Sequence, residues 1–130
     1  AAAPARGSER EPPMSCPDFI AQSFAVRTAA HLLHLSSTSY AQHVALGDFY
    51  DALTGLIDKY AEVYMGLNDQ VKAWPSKTPP AGAPVSLLSS YLLVVRKEQK
   101  EDNDSQALLN ILAELEELTA QTLYKLKFLK

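Results

Sequence analysis

The sequence predicts an all-α chain folded as an antiparallel four-helix bundle, with two helical hairpins joined by one long connection. Three observations carry this. Apolar residues recur every three or four positions through four separate stretches, and strand-like alternation is missing. The first and third gaps between those stretches are short and polar. The middle gap, residues 67–84, holds Trp74, Pro75, Pro79, Pro80, Gly82 and Pro84, too many breakers for a long helix.

Residues 1–15, opening AAAPARGSEREPP, read as a flexible arm whose two Arg and two Glu cancel. The bundle is expected over 16–130. It begins at Cys16-Pro17-Asp18, where Pro suits a first turn and Asp18 suits the positive end of a helix. Phe19, Ile20, Phe24, Ala25, Leu32 and Leu33 mark the inner face of this first helix, which ends at Leu35. Ser36 or Ser37 offers the cap of the second. That helix runs through Tyr40, Val44, Phe49, Leu53, Ile57, Ala61 and Tyr64 to a stop at Gly66. Gly47 and Gly55 weaken it by about 1 kcal/mol each, so packing must support it. A third helix, Val85 to Glu101, buries Leu87, Leu88, Tyr91, Leu92 and Val95; Asp102-Asn103-Asp104-Ser105 then turns the chain. The fourth carries Leu108, Leu112, Leu115, Leu118, Leu123 and Leu126, and closes on Lys125, Lys127 and Lys130, which suit a helix C-terminus.

Short turn, long Pro-rich crossover, short turn is the ferritin-like variant of the bundle. Composition narrows the function. With 130 residues, 47% hydrophobic and 21% charged, the chain has a globular make-up. A net charge of -3 argues against a general nucleic-acid coat. The single cysteine, Cys16, excludes an internal disulfide, and no apolar run approaches the length of a membrane span. No signal-peptide layout opens the chain, so a cytoplasmic protein is expected.

All three histidines fall in HLLHLSSTSYAQH, residues 31–43. With the turn centred on residue 37, His31 and His43 stand at equal heights on neighbouring helices, and His34 and Tyr40 form a second rung. Two imidazoles at one height can share a metal ion, while the ordinary alternative is a histidine bonded to a carbonyl or hydroxyl. The second helix adds Asp48, Asp51, Asp58 and Glu62, and Asp58 and Glu62 stand one turn apart. A solvated acidic face is the ordinary account of such a stripe. His43 and Asp58 are roughly 22 Å apart along one helix, so no single site uses both from one chain. Two copies packed antiparallel about a two-fold axis would bring them together.

These residues resemble the miniferritins, the Dps-like branch of the ferritin-like superfamily. Histidines twelve apart, then Asp58-Lys59-Tyr60-Ala61-Glu62 fifteen residues later, match that family's spacing, and LLNILAELEELTAQTLYKLKFL is similar to its last helix. HLSSTSYAQHVALGDFY looks closer still to small phage-encoded ferritin-like proteins. The chain departs from the pattern at Leu32, Ser36, Gly47 and Val63, where miniferritins carry Trp, Gly, an acidic ligand and Arg. Asp48 is a neighbouring substitute for the acidic ligand, and His34 an alternative ligand to its neighbours.

The resemblance implies a hollow homo-oligomer that binds iron, as one ion or two, between subunits at His31, His34 and His43 of one copy and Asp58 and Glu62 of another. It would oxidise that iron with peroxide or dioxygen and store it; zinc or another divalent metal is the alternative occupant. A structural or interaction protein without the chemistry, for instance of a phage, is the competing expectation, with Trp74 as partner anchor. DNA binding, as in some miniferritins, ranks lowest because the arm has no basic surplus.

Overall fold

The computed structural model describes residues 15–101 and 105–130. The predicted arm therefore lies, apart from Ser15, outside the described residues, as do Asp102, Asn103 and Asp104 of the predicted turn. Four helices pack against one another, and no strand occurs among the described residues. They are α1 (Cys16–Ser36), α2 (Tyr40–Leu67), α3 (Pro84–Glu101) and α4 (Gln106–Phe128).

Three of the helices begin in the same way. Ser15, Ser39 and Ser105 sit in extended backbone, and each hydroxyl accepts the N–H three residues on, from Asp18, Gln42 and Leu108. The cap of α2 is thus Ser39, not Ser36 or Ser37. Ser36 donates its hydroxyl back to the Leu32 carbonyl at 2.9 Å and stays in α1. Ser37 braces the turn instead, donating to the Ser39 carbonyl at 3.0 Å and accepting from the Gln42 side chain at 3.0 Å. At its far end α2 runs one residue past Gly66 and is closed by Asn68, whose backbone N–H donates to the Tyr64 carbonyl.

α1 packs on α2 and α3, and α4 packs on the same two helices. The start of α1 meets the ends of both: the Phe19 ring stands 5.2 Å from Tyr60, and Cys16 Sγ lies 3.3 Å from the Glu98 carboxylate. Midway along α4, Glu116 accepts from Arg96 and Gln99 near the end of α3, at 3.2 and 3.0 Å. Hence α2 and α3 point the same way and α1 and α4 the other. A link between two parallel helices must return along the bundle, which residues 68–83 do by lying on α1. Lys77 pairs with Asp18 at 3.4 Å, while Trp74, Pro75 and Pro79 face Ala21, Phe24 and Thr28. Pro80 and Ala81 then face Gln22 and Val26.

The core is one cluster drawn from all four helices, with Phe19, Phe49, Tyr60 and Tyr91 as its largest members. Some predicted inner residues are not in it. Phe24 is 39% exposed beside the crossover, and Val44 is 38% exposed between α2 and the end of α4. Helical periodicity places both on an apolar stripe, but the stripe is wider than the neighbour that covers it. Leu32, at 57% exposure, is likewise outside. Among the described residues, no helix is long and apolar enough to cross a membrane.

Candidate histidine site between the first two helices

The three histidines come together where α1 turns into α2, in a pairing the equal-height rule did not give. His34 faces His43 with ring centroids 3.7 Å apart and planes 18° from parallel. His31 does not face His43; it stacks on Tyr50 at 4.1 Å and 18°. Nor does His34 meet Tyr40, whose ring is 81% exposed and lies 6.4 Å from that of His43.

The reason is the lean of side chains. Every Cα–Cβ bond tilts toward the N-terminus of its helix. On α1 that carries side chains away from the turn, and on α2 toward it. A residue of α1 therefore meets one of α2 that lies farther from the turn than itself. His43 is farther from Ser37 than His34 is, and Tyr50 farther than His31, as both observed pairs require. In the predicted pairs the two residues are equally far from it, which the lean of the side chains does not allow.

Each ring of the central pair is bonded to the opposite backbone. His34 Nδ1 lies 2.6 Å from the His43 carbonyl, and His43 Nδ1 lies 2.9 Å from the His34 carbonyl. A carbonyl oxygen only accepts, so both Nδ1 atoms carry the proton and both Nε2 atoms keep a lone pair when neutral. The ring of His34 lies over Gly47, where a Cβ would stand 3.0 Å from its Cε1 and 3.1 Å from its Nδ1. Gly47 is therefore the floor under an imidazole. Tyr50 meets the His34 ring edge-on at 5.3 Å, with the Arg27 guanidinium 5.1 Å from its ring centre and Arg27 Nε donating to Thr54 at 3.2 Å.

Chemically, this central pair is a latch and not a chelate. A metal ion lies in the plane of the imidazole that binds it, about 2.1 Å from the nitrogen. Two nearly parallel planes stacked 3.7 Å apart do not meet at that distance. His31 and His34 are disposed differently, with centroids 6.0 Å apart and planes inclined at 59°. Among the described residues no group of three or more His, Cys, Asp or Glu side chains is arranged to hold a metal ion within one chain.

The carboxylates stand apart from the histidines. Asp51, Asp58 and Glu62 are exposed on α2. Asp48 is exposed too, but five residues turn it about 140° from His43. It lines a recess with Tyr40, Val44, Lys125 and Leu129, so one chain does not bring it to the histidines. Trp74 is 45% exposed over α1, lining an open groove of about 400 Å³ with Phe24 and Pro79. Sequence patterning missed the stacking of Tyr50 on His31, the part of Arg27 and the role of Gly47. A glycine one turn after a histidine, facing a second histidine helix, was the available signal.

Residues 34–126 match the model of a family of unknown function, DUF5856. The chain belongs to that family. The stretch shared with DUF5856 opens on His34, so it contains the stacked pair, Gly47, the four α2 carboxylates and the crossover, but not His31. Neither the curated proteins nor the solved structures contain a match to this chain.

Proposed function

We propose that the chain is a ferritin-like protein of the miniferritin (Dps-like) kind, a homo-oligomer of two-fold dimers that handles iron between its subunits. The observation that carries this is the placement of Asp58 and Glu62. They are exposed, one turn apart, and lie about 60° and 100° around α2 from His43. They stand roughly 22 Å or more along the axis from it. A second copy laid antiparallel on this face sets its acidic end against the histidine end of the first. The parallel course of α2 and α3, with a crossover returning along α1, further supports a ferritin-like bundle.

In such a dimer His31 and His34 supply neutral nitrogen donors, His43 holds the His34 ring in place, and Asp58 and Glu62 of the other copy balance the cation's charge. Ferrous iron is the substrate, each ion giving one electron to dioxygen or peroxide, and the ferric product collects inside the shell. The test has two steps. A strict monomer by solution mass overturns the proposal. In the assembled protein, aerobic ferrous oxidation should exceed the buffer rate and fall to it in the Asp58→Asn, Glu62→Gln double variant. A wild-type rate equal to buffer removes the activity.

A second function has its own observation. Both Nδ1 atoms of the stacked pair are committed to backbone carbonyls and the rings shield one another, which serves hairpin stability without any metal. On that account the bundle is a structural or interaction protein, as in a phage particle or infected cell, and Trp74 anchors its partner.

A further inference from the structure

We infer that His31 and His34 form a two-imidazole chelate for a divalent cation of the zinc class, held by one chain without help from a second copy. This deepens the proposed use of the histidine cluster but does not need its carboxylates. Of the two ring pairs that His34 makes with histidines, only this one has the inclination a shared ion requires. An ion about 2.1 Å from each bonding nitrogen sits about 3.2 Å from each ring centre, so tetrahedral geometry separates the centres by roughly 5 Å. The observed separation is 6.0 Å with planes at 59°, about 1 Å wider than that.

Both rings are already oriented. The Nδ1–H of His34 donates to the His43 carbonyl at 2.6 Å, the arrangement that fixes the tautomer of a metal-binding histidine and leaves Nε2 as donor. His31, one turn earlier on α1, is held by its stack on Tyr50 at 4.1 Å. Both histidines are partly exposed, so water can complete the coordination. Neutral nitrogen ligands favour zinc over ferrous iron in the general order of divalent affinities. His43 acts here as a positioning residue, through its carbonyl and its ring.

Calorimetric titration of the full chain with zinc, and anaerobically with ferrous iron, tests this. One zinc per chain is expected, bound more tightly than iron. His31→Phe keeps a flat ring to stack on Tyr50 and removes the nitrogens; it should weaken zinc binding by about tenfold or more. His34→Gln should do the same, and nitrogen NMR should show zinc shifting Nε2 of His34 while its Nδ1–H stays bonded. The Asp58→Asn, Glu62→Gln variant should bind zinc as the wild type does, even if its iron oxidation is lost. Unchanged zinc affinity in folded His31→Phe overturns the chelate. So does zinc binding that disappears with the two carboxylates, which would put the ion between copies, or ferrous iron binding as tightly as zinc.

Discussion

His34 and His43 hold each other across the first turn. Each ring donates its Nδ1–H to the other residue's backbone carbonyl, at 2.6 and 2.9 Å, while the two rings lie face to face at 3.7 Å. The His34 carbonyl belongs to the last turn of α1 and also accepts the Ser37 N–H at 3.4 Å. The His43 bond adds a second, shorter donor there and closes the hairpin.

Replacing His43 with Ala removes one of these bonds and the stack, and leaves the His34 ring uncovered. A hydrogen bond contributes about 0.5–1.5 kcal/mol and a stacked ring pair about as much again, so a loss of about 1–3 kcal/mol is expected. Urea unfolding followed by circular dichroism checks it. A loss below about 0.5 kcal/mol means the latch adds nothing to stability.

Gly47 and Gly55 should respond to alanine in opposite ways. At Gly55 a Cβ meets nothing within 4 Å, so Gly55→Ala should raise stability by about 1 kcal/mol through helix propensity. At Gly47 the new methyl would stand 3.0 Å from the His34 ring, which is pinned by its hydrogen bond and its stack. Gly47→Ala should give a net loss and broaden the slowly exchanging Nδ1–H resonance of His34. A gain equal to that at Gly55 would show that the ring is free to move.

Glu98 is 2% exposed on α3, and its carboxylate accepts from the Tyr60 hydroxyl at 3.1 Å and the Cys16 thiol at 3.3 Å. Glu98→Ala takes the acceptor away from two buried or half-buried donors and opens a gap where three helices meet. A loss of about 2–3 kcal/mol in denaturant unfolding is expected, and Glu98→Gln, which keeps an acceptor oxygen, should cost less.

Tyr91 sets an alkaline limit. Burial pushes its hydroxyl well above the ordinary value of 10.0, against a smaller downward pull from the hydrogen bond to Ser23. The folded state thus favours the neutral phenol. Its contribution is complete below the ordinary value and is lost as pH rises beyond it. Tyrosinate absorbance and helical circular dichroism, titrated together, should show the last tyrosine ionising only as the helices melt. In Tyr91→Phe that coupled step should vanish.

Much of the fold was legible because its signals are local and redundant. Four apolar stripes gave four helices, and the prolines between 75 and 84 gave the crossover. The cap of α2 was not, since Ser36, Ser37 and Ser39 can each accept an N–H and only the backbone path selects one. Glu98 sits in the charged run RKEQKE, yet it follows Leu88, Tyr91 and Val95 at helical spacing, which places it on the inner stripe. At the histidines the residue types were legible and the partners were not. Equal counting from a turn aligns backbones, whereas imidazoles meet where their bonds lean.

The crossover has a consequence for how the chain tolerates being cut. It has no helix of its own and joins two pairs of helices, with the core supplied by all four. A protease nick near Lys72 would leave two polypeptides still clasped through that shared interior. Expressed separately, the halves should reassemble by complementation, their affinity measuring how much the interior achieves without the tether.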